Sequence, residues 1–271
     1  MRIAFVGTGS MGSALLEGVQ ASTDAQIVAT CASAASATSL HERLGIDTLA
    51  VETTSDANLQ AIRGAQFVFV GVKPWMLAQT LKEIAPHLEP QAVVISMAAG
   101  FSLADMAKHV PNNPVVRIMP NTPSQVGRGV IALSAGQGVS DEQVQTLTEL
   151  LTGAGLVFPL EEEQIGAMTA ISGSGVAYFF LLAESLAKTG VELGLDEETA
   201  NRMVAQTALG AGLLLDRTPE PADLRKAVTS KGGTTHAAIE TFRAHNLDDI
   251  VFRAGTAAVE RGKEMERENA E

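Results

Sequence analysis

The chain has 271 residues, enough for two compact domains or one large one. Its 31 acidic residues outnumber 19 basic ones, and the formal charge of −12 argues against nucleic acid or an anionic membrane surface as the main partner. A single cysteine, Cys31, excludes an intramolecular disulfide. Strand-type residues from Arg2 leave no room for a leader, and no run of about 18 uncharged apolar residues is expected to span a membrane. The expectation is a cytoplasmic protein that holds an anionic ligand by local dipoles rather than by its overall field.

The first element is Arg2–Val6, a short apolar strand. Gly7-Thr8-Gly9-Ser10-Met11-Gly12 follows at once, and a helical pattern then runs to about Val19. A strand, this glycine spacing and a helix together form a dinucleotide-binding start. Gly7 makes the tight turn, Gly9 lets a pyrophosphate approach the backbone, and Gly12 lets the helix pack closely on the strand. All six residues of the loop are candidate cofactor ligands. The second strand, Gln26–Thr30, ends in Thr30-Cys31-Ala32-Ser33 without the carboxylate that readers of a free ribose hydroxyl carry roughly 20 residues after the glycines. Thr30 and Ser33 are therefore candidate donors to a 2′-phosphate, with the helix opening near Ala34 adding its dipole. NADPH is the expected cofactor, with NADH kept as the alternative. Arg43, near the far end of that helix, does not clamp the phosphate locally.

Strand-like runs continue to about Leu160: Thr48–Val51, Phe67–Val72, Ala92–Met97, Val115–Met119, Gly129–Leu133 and Leu156–Pro159. Their alternation with helical runs predicts an α/β domain, residues 1–160, around a parallel doubly wound sheet. Ligands of such sheets sit at the carboxyl ends of the strands. Val72-Lys73-Pro74 and the Pro120-Asn121-Thr122-Pro123 loop occupy two of those ends, which makes Val72, Lys73, Pro74 and Asn121 candidate cofactor residues. Beyond Leu160 the pattern is helical, with helices expected at Gly175–Leu193, Glu197–Leu215, Gly233–His245 and Asp248–Glu266. Thr199–Leu215 is apolar on most of its circumference and needs cover on all sides. Residues 161–271 are accordingly expected to form an all-α domain that homodimerises through its helices, with a higher oligomer of dimers left open.

Val228–Ala238 reads V-T-S-K-G-G-T-T-H-A-A. Glycines lead into a helix opened by two threonines, where unpaired N–H groups and the dipole favour a carboxylate or phosphate. Taken alone, the same segment would serve as a capped helix start. The five histidines show no metal-ligand spacing with one another or with Cys31, so no metal site is expected.

The motifs G-T-G-S-M-G, V-K-P at Val72–Pro74, M-P-N-T-P at Met119–Pro123, S-G-S-G at Ser172–Gly175 and S-K-G-G-T-T at Ser230–Thr235 stand in order over nearly the whole chain. Together they resemble the pyrroline-5-carboxylate reductase family. The resemblance implies a Rossmann domain followed by an interlocking helical domain. It also implies reduction of 1-pyrroline-5-carboxylate to L-proline with NAD(P)H, the last step of proline biosynthesis. It places the substrate carboxylate on the amides of Gly233, Thr234 and Thr235 beside Ser230, a catalytic hydroxyl on Thr235, and an adenosine contact on Asn58. The family's usual prolines are replaced by Val176 and Lys231; Lys231 is expected to point to solvent, and His236 to be an exposed first-turn residue. Two other functions compete. A β-hydroxyacid-type dehydrogenase would need a helix-borne lysine with an asparagine four residues on, but Lys188 is followed by Glu192. A non-catalytic NADP-binding sensor would have lost its substrate site, whereas the G-G-T-T cradle is intact.

Overall fold

The computed structural model describes residues 1–270. By their internal contacts these form two compact units, one comprising Met1–Gly173 and the last helix from Ala258, the other Ser174–Ala257. The first unit is built on eight strands: β1 (Arg2–Val6), β2 (Gln26–Cys31), β3 (Asp47–Ala50), β4 (Phe67–Val70), β5 (Val93–Ser96), β6 (Val115–Met119), β7 (Gly129–Ala135) and β8 (Gly155–Pro159). They lie in the order β3-β2-β1-β4-β5-β6-β7-β8. Helices α1 (Ser10–Ser22), α2 (Ala34–Leu44), α3 (Ala57–Ile62), α4 (Pro74–Ile84), α5 (Leu103–His109), α6 (Asp141–Leu151) and α7 (Ile165–Met168) connect or follow the strands.

Period-two alternation gives the sheet two apolar faces. On β1, Ile3 and Phe5 enter one core with Ile27, Phe69 and Ile95, whereas Ala4 and Val6 enter the other with Val68, Val70 and Leu77. Phe5 and Phe69, in register on neighbouring strands, stack with ring centroids 4.5 Å apart.

One expectation about the sheet is corrected. It is not wholly parallel: β7 runs antiparallel to β6, and β8 follows β7 in parallel. The segment Pro120–Arg128 between β6 and β7 contains only a 3₁₀ turn, Thr122–Val126. It is shorter than the dozen or so residues a parallel crossover needs, so the chain turns back on itself. The fourth strand also stops two residues earlier than expected. A Cβ on Gly71 would stand 2.7 Å from the Gly7 carbonyl oxygen, so the backbone leaves the sheet there to pass close to the glycine loop.

The second unit contains α8 (Gly175–Glu192), α9 (Glu197–Arg217), α10 (Pro221–Ala227), α11 (Thr234–Ala244) and the start of α12 (Leu247–Ala270). Four of these were expected. The short α10 carries its own signals: Pro221 in the first turn, and Arg225 and Lys226 in the last, where cations favour the dipole. Within Ser174–Ala257 only Gly175 and Ala200 are buried. Phe179, Phe180, Leu193 and Phe252 are each at least 68% exposed. The expectation of no apolar segment long enough to cross a membrane is corrected as well. The continuous helical run Glu162–Glu192 has that length and composition, with a mean hydropathy of 1.6 in its most apolar stretch. The sequence conceals it because Gly166, Thr169, Ser172, Gly173, Ser174 and Gly175 break up the apolar residues of the uncharged stretch 165–183, and a π-helical turn at Thr169–Gly173 joins α7 to α8.

Candidate active site

The strand order places β1 between β2 and β4, so successive connections diverge on either side of β1 and open a crevice at its carboxyl end. Gly7, with φ +79°, turns the chain there, and an added Cβ would meet Val72 Cγ1 at 2.6 Å. Gly9 caps α1 without a side-chain hydrogen bond. A Cβ built on Gly9 meets nothing within 4 Å, so the backbone is bare towards the open side of the loop. Ser10, Met11 and Gly12 carry the first N–H groups of α1, which the helix does not use itself. A cleft of about 800 Å³ runs from this loop between α1 and α2, lined by Thr8, Gly9, Ser10, Ser13, Cys31 and Ser36 among others. A bare glycine backbone, free helix amides and hydroxyls fit a dinucleotide's pyrophosphate.

Four of the expected ligands form one hydrogen-bonded brace. Gly7 N–H donates to Thr30 Oγ1 at 3.0 Å, and that hydroxyl donates to Asn58 Oδ1 at 2.9 Å. Thr8 donates through both its amide and its hydroxyl to the Thr30 carbonyl, each at 2.9 Å. Thr30 is wholly buried. Its assignment as a phosphate donor is therefore corrected: its one proton is committed to Asn58, and its place is behind the glycine loop. Ser33 is half-buried at the N-cap of α2, accepts from Ser36 N–H and donates to Ser36 Oγ. After β4, Val72 packs on Gly7, Lys73 is the exposed N-cap of α4, and Pro74 opens that helix.

Asn121 is also reassigned. Its Oδ1 accepts from Val130 N–H at 2.8 Å, and its Nδ2 donates to the Ser172 carbonyl at 3.0 Å. With 6% exposure it ties the β6–β7 connection to the π-helical turn rather than facing a ligand.

In the second unit, Ser230, Gly233, Thr234 and Thr235 come together at the start of α11. Gly232 has φ +75°, and a Cβ on Gly233 would stand 2.5 Å from Ser230 Oγ. The glycine pair thus lets the serine hydroxyl lie directly against the helix start. Gly233 N–H donates to the Ser230 carbonyl at 3.0 Å. This corrects its expected role as a free carboxylate donor. The amides that α11 leaves free are those of Thr234, Thr235 and His236, since Gly233 caps the helix with no side chain. Lys231 is exposed as expected, whereas His236 is half-buried.

A feature at the β2–α2 turn, beside the cleft-lining residues Cys31 and Ala35, has no signal in the local sequence. Ala34 N–H, the first amide of α2, donates to Glu52 Oε2 at 3.0 Å. The carboxylate sought after β2 arrives from the end of β3 instead.

A family model for pyrroline-5-carboxylate reductase dimerisation matches residues 162–265, and one for F420-dependent NADP oxidoreductases matches residues 2–100. The pyrroline-5-carboxylate reductase of Pseudomonas aeruginosa is 39% identical over 97% of this chain and 96% of its own length. The chain belongs to the pyrroline-5-carboxylate reductase family. A solved member from Coxiella burnetii superposes with a TM-score of 0.90 at 34% identity, covering 97% of both chains. Another, from Plasmodium falciparum with NADP bound, gives 0.82 at 26% identity over 98% of each. Membership makes the protein an oxidoreductase with a nicotinamide cofactor and a small-molecule substrate. The dimerisation match spans residues 162–265, so the helices that expose apolar residues in the second unit lie within a homodimerisation domain.

Proposed function

We propose that the protein reduces 1-pyrroline-5-carboxylate to L-proline with NADPH, NADH being the alternative donor, as the last step of proline biosynthesis in the cytoplasm. The observation that carries this reading is the start of α11. Three free amides and the Ser230 hydroxyl meet at a helix N-terminus in a member of this family. That cluster suits a substrate carboxylate. The work divides at about Leu160, with the cofactor held by residues 1–160, and substrate binding and dimerisation assigned to residues 161–271.

Gly7, Gly9 and the amides of Ser10, Met11 and Gly12 would hold the pyrophosphate, with Thr8, Val72, Lys73 and Pro74 forming the surrounding wall. Asn58, whose Nδ2 is not drawn into the brace, would reach the adenosine side. The cofactor supplies the hydride when bound. A cyclic imine accepts hydride readily once its nitrogen is protonated or hydrogen-bonded. The protein's part is therefore positioning and local electrostatics. Thr234, Thr235 and His236 N–H anchor the carboxylate with Ser230, and the Thr235 hydroxyl holds a hydrogen bond at the ring nitrogen.

The dehydrogenase alternative is disfavoured by Lys188, whose ammonium lies 2.7 Å from Glu184 on an exposed helix face and has no asparagine beyond it. A sensor would bind nicotinamide nucleotide without turnover. Following NADPH and NADH oxidation with 1-pyrroline-5-carboxylate tests all of these readings. Proline formation is the expected result; nucleotide binding without any oxidation would replace the proposal with the sensor.

A further inference from the structure

We infer that Glu52 narrows the margin by which NADPH is preferred over NADH, its charge opposing a 2′-phosphate, an inference that rests on the nicotinamide site described above. Its position is fixed by the main chain. Beyond the end of β3, Val51 N–H donates to the Cys31 carbonyl at 2.9 Å, and Glu52 N–H donates to the Ala32 carbonyl at 3.1 Å. These bonds extend the β2–β3 pairing past the sheet and carry Glu52 to the turn between β2 and α2. There its Oε2 accepts from Ala34 N–H at 3.0 Å. The cofactor cleft reaches the same turn, being lined by Cys31, Ala35 and Ser36.

With a pyrophosphate over the glycine loop, the adenosine ribose of a Rossmann ligand extends towards the turn after β2. Several of the groups there that could welcome a 2′-phosphate are otherwise engaged. Thr30 is buried with its proton on Asn58, Ser33 donates to Ser36, and the first amide of α2 is occupied by the carboxylate. The segments 30–36 and 51–58 contain no lysine or arginine, but they contain Glu52 and Asp56. Arg43, which lines the far side of the cleft, is paired with Glu17. A phosphate arriving here must displace or approach a fixed negative charge with no cation in either segment to offset it. A free ribose hydroxyl meets instead a carboxylate whose Oε1 remains able to accept its proton, the arrangement that an acid after β2 provides elsewhere. Glu52 thus acts as a selectivity residue reaching the ribose from the third strand.

The competing account is that Glu52 only caps α2, since an acid at a helix N-terminus is stabilising by itself. Calorimetric titration of the full-length wild-type protein, E52Q and E52A with NADPH, NADH, 2′,5′-ADP and 5′-AMP separates the two. E52Q keeps an acceptor for Ala34 N–H and removes the charge. It should tighten NADPH and 2′,5′-ADP by at least about fivefold relative to NADH and 5′-AMP, a discrimination consistent with one solvent-exposed like charge. E52A should shift the ratio in the same direction while also weakening NADH. An NADPH/NADH ratio that moves by less than about twofold in E52Q overturns the inference and leaves a helix cap, and a lowered Tm in E52A would not rescue it. If NADH and NADPH both fail to bind the wild-type protein, the cofactor reading fails and the inference with it. That outcome is distinct from two nucleotides that bind with an unmoved ratio.

Discussion

The candidate cofactor residues and the candidate substrate residues differ in how firmly single side chains are held. The hydroxyls of Thr234, Thr235 and Ser230 make no hydrogen bond among the described residues, and all three residues are exposed. Thr235→Ala should therefore cost little stability, but should lower turnover by roughly tenfold to a thousandfold, the span seen when one transition-state donor is removed. The Kd for NADPH should stay within about twofold, because the residue is assigned to the substrate. Turnover that also stays within about twofold would leave Thr235 as an ordinary helix-opening residue. Thr30 is the opposite case. Thr30→Val strands Gly7 N–H and Asn58 Oδ1, so destabilisation of about 1–3 kcal/mol is expected, together with weaker nucleotide binding. Urea unfolding and calorimetry would check both; an unchanged midpoint with unchanged affinity would show that the brace is dispensable. The sequence made Thr30 and Asn121 visible as polar residues at strand ends, yet misassigned both. Their partners lie between 9 and 51 residues away, and no local pattern reveals that a hydroxyl or amide is already spent on them.

At the scale of elements, the glycine loop and the α11 turn were legible because their backbones demand glycine. Gly7 has φ +79° and lies against Val72, and Gly233 lies against Ser230. Gly7→Ala should cost roughly 1–3 kcal/mol of backbone strain, before the clash with Val72 is counted, and should weaken both nucleotides equally. A variant with wild-type Tm and affinity would mean that the loop relaxes freely, and the assigned turn geometry would be wrong. Alternation and helical period likewise gave the strands and the long helices. Direction was harder to read: β7 looks like any other apolar run, and only the brevity of Pro120–Arg128 forces it antiparallel. Glu52 was missed for a related reason. Its role depends on β3 pairing beside β2, a tertiary fact that places an acid from one strand at the turn of another.

For the whole molecule, the decisive quantity is apolar surface that one chain leaves uncovered. Leu209 is 56% exposed on α9, with Met203, Leu213 and Leu214 each at least half exposed along the same helix. Fully burying a leucine is worth about 1.5–3 kcal/mol, so a handful of such residues on α8 and α9 outweighs the few kilocalories by which a domain is normally stable. Small residues on α9, among them Ala208, Gly210, Ala211 and Gly212, permit close approach of another helix, and no neighbour lies within 4 Å of a Cβ built on either glycine. The second unit is thus expected to reach its stable form only as a homodimer, with stability that rises with protein concentration. A charge at the interface tests this directly. Leu209→Glu should abolish dimerisation and proline formation, since the α11 turn that holds the substrate belongs to the same helical unit. The sheet unit, whose core is buried within one chain, should still bind NADPH. Light scattering with a parallel nucleotide titration reads both arms. A stable, active 28.3 kDa monomer of the wild-type protein at micromolar concentration would show that one chain covers its own helices, and the assembly argument would fall.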